Sequence, residues 1–250
     1  ARGEKIMSKT FVVFLREFSA YFTTPLAYVF IVIFLGLTGA FTFYMGSFFE
    51  RGQADLQSFF GFLPWLFLIL IPAVSMRLWA EERKSGTIEL LMTLPISTAQ
   101  VVIGKFLAAW AFVCIAIMLT FPIWITVNYL GDPDNGVVAA SYIGSLVMAG
   151  SYLAIGSCIS ALTKNQVIAF IVAALVCFLF LTAGLDIVQS FFQGWAPQVL
   201  VDGISGLSFL THIEAIRTGV IDLRDVVFFV STIAVSLFIN VAIIDLKKAA

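Results

Sequence analysis

Six of the chain's 29 charged side chains (14 basic, 15 acidic) crowd between residues 77 and 89: Arg77, Glu81, Glu82, Arg83, Lys84 and Glu89. Carboxylates and cations interleaved this tightly can serve proton transfer within a site or ion pairing with a partner. Catalysis lacks the rest of its equipment. His212 is the only histidine, which leaves no histidine pair to hold a metal or to share acid and base roles. Cys114, Cys158 and Cys177 lie in apolar stretches without paired spacing, so they read as small core residues rather than a disulfide framework. The stretch "VVIGKF" offers Gly104 and Lys105, but it lacks the upstream glycine and the following hydroxyl that a phosphate loop needs. A net charge of -1 with no basic stripe gives nucleic acid nothing to hold. The expectation is a chain with no catalytic, cofactor-binding or metal-binding residues of its own.

The elements that must position the charged cluster are greasy. At 61% hydrophobic and 12% charged residues, with 26 Phe, the composition departs from the roughly 45–50% apolar and 25% charged of soluble domains. An integral membrane protein is expected. A helix needs about 20 residues to cross a hydrocarbon layer of about 30 Å, and six runs of suitable length occur: 25–46, 59–76, 106–130, 137–163, 166–185 and 226–244. Their length and lack of alternation read as helices rather than barrel strands. The fold class is therefore all-α integral membrane, a single domain over 1–250 with six transmembrane helices. The runs contain no Asp, Glu, Lys, Arg or His, which argues against an ion-driven pump, although neutral oxygens can still hold sodium beside a broken helix.

With the amino terminus placed inside, the inner segments carry eleven Lys and Arg and the outer ones only Arg51, Arg217 and Arg224. Both termini are accordingly expected in the cytoplasm. Residues 6–24 show Met7, Phe11, Phe14, Phe18, Tyr21 and Phe22 at helical steps and suit an amphipathic helix lying in the inner headgroup layer. No cleavable signal peptide is expected there, and Met7 reads as a native start preceded by six foreign residues. The fourth run is slim, with Ala140, Gly144, Ser145, Ala149, Gly150 and Gly156, and should be buried among neighbours. Pro64, Pro72 and Pro122 could kink their spans. Residues 186–225 are apolar but broken by glycines, which fits either short re-entrant helices or an ordinary outer cap.

The cytosolic loop, 77–98, does more than fix topology. Lys and Arg alone would suffice for that, yet Glu81 and Glu82 cancel Arg83 and Lys84, so specific pairing is the better reading. Beyond it, Ser85 or Thr87 could cap a short helix whose Ile88, Leu91 and Met92 share a face and which Pro95 stops. That face could pack on the chain's own spans or lipid, or dock into a partner's groove.

"MRLWAEERKSGTIELLMTLPIS" followed by "QVVIGK" resembles the cytosolic loop of ATP-binding cassette type-2 permeases, nearest to the gliding-motility and nitrous-oxide-reductase-maturation branch. The matching positions are Glu81, Glu82, Arg83, Gly86, Thr87, Glu89, Leu90, Leu91 and Pro95. "REFSAYFTTPLAYVF" and "THIEAIRTGVIDLRDVVFF" are similar to that branch as well. The resemblance implies a permease of a bacterial inner membrane, paired with a second permease chain, usually a copy of itself, and with two cytosolic ATPase subunits that bind ATP and magnesium. It implies a coupling helix between spans two and three, docked to the ATPase through Glu81, Glu82, Arg83, Gly86, Thr87, Ile88, Glu89, Leu91, Met92 and Pro95. It also implies re-entrant helices between spans five and six, with room for an accessory subunit at the outer face. The expected activity is ATP-driven export along a path for which Phe62, Phe67, Phe178 and Thr182 are the candidates. A motility or assembly factor without cargo, and an ion-coupled secondary transporter, are the alternatives.

Overall fold

The computed structural model describes residues 2–87, 95–193 and 197–248, and every regular element among them is helical. The first, α1 (Arg2–Thr23), ends where Pro25 opens α2 (Pro25–Ala40). Proline suits that first turn, where its missing N–H would have had no helical acceptor. A single π-helical turn, Phe41–Met45, continues α2. Then come α3 (Gln57–Ser75) and α4 (Arg77–Ser85), which together form one 29-residue helix.

Next are α5 (Thr98–Met118), α6 (Phe121–Leu130), α7 (Asn135–Leu162) and α8 (Gln166–Thr182). Three short helices follow, α9 (Asp186–Gln193), α10 (Gln198–Ser205) and α11 (Phe209–Arg217), before the long α12 (Leu223–Lys248). Five helical stretches are long and apolar enough to cross a membrane. There are up to seven if α8 with α9, bent by 84°, and α10 with α11, bent by 59°, each count as one.

Several boundaries differ from the sequence reading, each for a local reason. The second span does not stop at 76 before a charged hinge; the helix runs on to Ser85. Pro64 and Pro72 sit inside α3 without interrupting it. The third span begins at Thr98 rather than 106, because Ser97 and Gln100 form a reciprocal capping box that satisfies two of the N–H groups a helix start leaves free. Lys105 therefore lies within that helix instead of before it. Pro122, by contrast, accompanies a break at Leu119 and Thr120 between α5 and α6. There the Thr120 hydroxyl donates to the Ile117 carbonyl and meets the Tyr142 hydroxyl at 3.0 Å.

The core forms around α7, the most buried of the long helices, as its slim sequence predicts. Tyr152 of α7 donates to the Pro64 carbonyl of α3, and Ser151 to the Phe229 carbonyl of α12. Contacts sort the helix ends into two groups. One holds α4, the start of α5, the end of α7 and the end of α12, tied by Arg83 to Ala161 and Thr98 to Asp245. The other holds the start of α3, the end of α6, the start of α7 and α11, tied by Arg217 to Gln57 and Trp124 to Asn135.

Candidate functional site

The charged cluster is held by three helices. At the junction of α3 and α4 the Ser160 hydroxyl of α7 donates to the Met76 carbonyl and accepts from the backbone N–H groups of Trp79 and Ala80, at 2.8, 3.2 and 3.1 Å. A serine from another helix thus does what an N-cap residue normally does from its own. Trp79, wholly buried, donates its indole N–H to the Ser157 hydroxyl at 3.2 Å, and Asn240 of α12 donates to the same oxygen at 2.7 Å. So α4 is locked to α7, and through Ser157 to α12.

On the other side of α4 sits an ion triad. Lys105 of α5 is 2% exposed; its ammonium lies 2.7 Å from Glu82 of α4 and 3.1 Å from Glu17 of α1 and stands over the Trp79 ring. A buried lysine needs such partners, because an unpaired charge in a medium of low dielectric costs several kcal/mol. Burial raises the Glu17 carboxyl toward its neutral form, but Lys105 and Arg16 outweigh it and hold the group below its ordinary value. The close approach of α1 depends on Gly104, where a Cβ would come within 2.8 Å of Val13 and 3.1 Å of the Thr10 carbonyl. Gly104 and Lys105 are therefore occupied with packing and pairing against α1 and α4, which is incompatible with a phosphate cradle.

A cleft of ≈ 290 Å³ opens between α1 and α4, with Glu17, Tyr21, Arg77, Glu81, Glu82 and Lys105 in its wall. Arg77 and Glu81 form a bidentate pair along α4, at 2.8 and 3.3 Å. Arg83 instead turns to α7 and donates to the Ala161 carbonyl at 2.7 Å. The helix stops at Gly86, whose φ of 74° lies in the left-handed region that favours glycine. Ser85 helps to end it by donating to the Glu81 and Glu82 carbonyls. Thr87 meets the Ser85 hydroxyl at 2.9 Å. Ile88, Glu89, Leu90, Leu91 and Met92 lie outside the described residues. The chain is picked up again at Pro95, whose carbonyl accepts from Lys9 of α1.

The four path candidates differ in their surroundings. Phe67 is 1% exposed, stacks on Phe34 and meets Tyr152 edge-on. Phe62 packs edge-on against Phe41, Phe178 is 42% exposed, and Thr182 is buried with its hydroxyl on the Phe178 carbonyl. His212 meets Asp225 at 2.6 Å and the Gly206 carbonyl at 3.0 Å, a pair that joins α11 to the start of α12 and to the end of α10. Sequence reading missed the Lys105 triad. Its signal was present: a Ser-x-x-Gln box at 97–100 places Lys105 inside an apolar helix, where a lone cation requires carboxylates.

The family described as ABC-2 family transporter protein matches residues 11–244, so the chain belongs to that family. It is a multi-pass membrane permease, the transmembrane subunit of an ATP-binding cassette transporter, of a type that associates with separate ATPase subunits and has no ATPase of its own. No curated protein matches the chain.

Proposed function

We propose that this ABC-2 family permease is the membrane half of a bacterial ATP-driven exporter. It crosses the inner membrane six times with both termini in the cytoplasm, and it pairs with a second copy. Two cytosolic ATPase subunits, which hold ATP and magnesium, grip it through the end of α4 and the segment that follows: Glu81, Gly86 and Thr87, with Ile88, Leu91 and Met92 as the apolar anchors. Phe62 and Phe178 are the better candidates for the path, since Phe67 is already engaged in the core. A neutral, Phe-rich lining favours a lipid-linked, hydrophobic or polymeric cargo.

The observation that carries this reading is the union of α3 and α4 in one helix of 29 residues, with α4 pinned to α7 through Ser160 and Trp79. A push delivered beyond Ser85 reaches the second span through a junction at Met76 that Ser160 braces. Replacing Ile88 with Asp tests the joint. The variant should insert and elute like the parent, while ATPase activity of the assembled complex and its coupling to transport fall; unchanged coupling would remove the docking reading. Glu82 is a poor probe, because its carboxylate is committed to Lys105.

A further inference from the structure

We infer that the end of α7 carries a binding site for the headgroup of an anionic phospholipid, built from Arg83, Lys164 and Lys247. Arg83 donates to the Ala161 carbonyl at 2.7 Å, and Lys247 donates to that same oxygen at 3.1 Å and to the Leu162 carbonyl at 2.8 Å. Two cations therefore crowd one neutral oxygen. The positive charges of Arg83 and Lys164 both bear on Lys247, and the described ion pairs bring no carboxylate to any of the three.

Among the described residues, the carboxylates nearest in sequence face other groups: Glu81 pairs with Arg77, Glu82 pairs with Lys105, and Asp245 accepts from the Thr98 hydroxyl. The carbonyls at a helix C-terminus carry only about half an elementary charge, too little to offset this concentration of cations. An anion completes the site.

Two features favour a lipid over a soluble anion. The cluster sits where three long helices end or begin, the border between apolar and aqueous zones at which basic pockets take anionic headgroups. Around it the surface is apolar and open: Leu162, Val167 and Leu246 are each more than half exposed, and Ile171 and Leu175 continue the Val167 stripe along α8. A phosphate seated on Lys164 and Lys247 would leave its acyl chains along that stripe. This inference does not depend on the proposed export, since the site is complete within one chain.

The test is native mass spectrometry of the purified full chain in detergent, after exchange into mixtures of phosphatidylcholine with phosphatidylglycerol. The parent should retain phosphatidylglycerol in preference to phosphatidylcholine. Each juxtamembrane charge removed should lower that retention roughly fivefold, so Lys164→Gln with Lys247→Gln should lower it about 25-fold. Lys247→Arg should keep it, which separates lost charge from lost folding. Equal retention of both lipids, or equal retention by parent and double variant, overturns the site. So does release of the bound lipid by millimolar inorganic phosphate, which would mark a soluble-anion site. A double variant that keeps its lipid but loses the ATPase subunits would overturn it too, by assigning the cations to an acidic protein surface.

Discussion

Replacing Lys105 with Met removes one ammonium and leaves two carboxylates facing each other. Glu17 and Glu82 both lie within 3.1 Å of the Lys105 nitrogen, and their side chains are only 17% and 20% exposed. Carboxylates sharing one ammonium stand about 5 Å apart, and at an effective dielectric of about 20 their repulsion is roughly 3 kcal/mol. Removing one member of a buried pair costs about 3–5 kcal/mol. The partial access of water to both glutamates argues for the lower end, about 3 kcal/mol. At roughly 2–4 °C per kcal/mol for a chain of this size, the midpoint of thermal unfolding should fall by about 6–12 °C.

The assay is loss of the monodisperse peak after heating in mild detergent. The comparison that isolates the charge is a triple variant, Lys105→Met with Glu17→Gln and Glu82→Gln, which is neutral and similar in volume. It should recover most of the loss, because neutral replacement of a whole buried ion cluster is often no worse than the cluster. A single variant within about 1 °C of the parent would refute the triad as a joint. A triple variant as damaged as the single would refute the electrostatic cause.

The same triad sets an acid limit. Because the folded Glu17 carboxyl is held below its ordinary value of 4.5, its contribution is complete above that value and is lost as the pH falls through the lower folded value. Thermal stability should therefore drop below about pH 4.5, and Glu17→Gln should flatten that part of the profile; an unchanged profile would contradict the assignment. At the opposite end, His212→Ala leaves Asp225 buried without its partner. It should cost about 2–4 kcal/mol and speed proteolysis of residues 197–222, whereas unaltered cleavage would show that the pair holds nothing. A Cβ at Gly156 would land on the Ser75 hydroxyl, so Gly156→Ala should destabilise by about 1–3 kcal/mol. Adding Ser75→Gly should restore the loss; failure to do so would place the strain elsewhere.

Much of the fold was legible because a membrane simplifies the reading. Apolar runs of fixed length mark helices, and the slim fourth run marked α7 as the central one. Boundaries were harder. The end of the hydrocarbon zone is not the end of a helix: α3 runs on into the charged residues of α4, and α5 starts well before its apolar run. A capping box at Ser97 and Gln100 held that information. The charged cluster was legible as a place of specific pairing, but not as to which charge meets which. That depends on tertiary contact: Glu82 turns to Lys105, whereas Arg83, the next residue, turns to Ala161. Glu17, near the start of the chain, gives no sign in sequence that it shares an ammonium with Glu82.

The distribution of buried charge bears on how energy enters the molecule. Among the described residues, the fully buried ionisable groups that carry or share charge are Lys105 at one group of helix ends and His212 with Asp225 at the other. Between them the buried hydroxyls of α7 belong to Ser145, Ser151, Tyr152 and Ser157, and Asn240 of α12 joins the last. An ion-coupled carrier places its coupling groups near mid-membrane, commonly where a helix unwinds. Here α7 runs unbroken past its serines; Ser145 donates to its own backbone and Ser151 to the Phe229 carbonyl of α12. Ser157 is taken up by Trp79 and Asn240. Work would have to reach such a bundle at its ends, and the end carrying the Lys105 triad joins α1, α4 and α5 into one unit. That arrangement fits a permease driven by subunits outside the membrane, as its family membership requires.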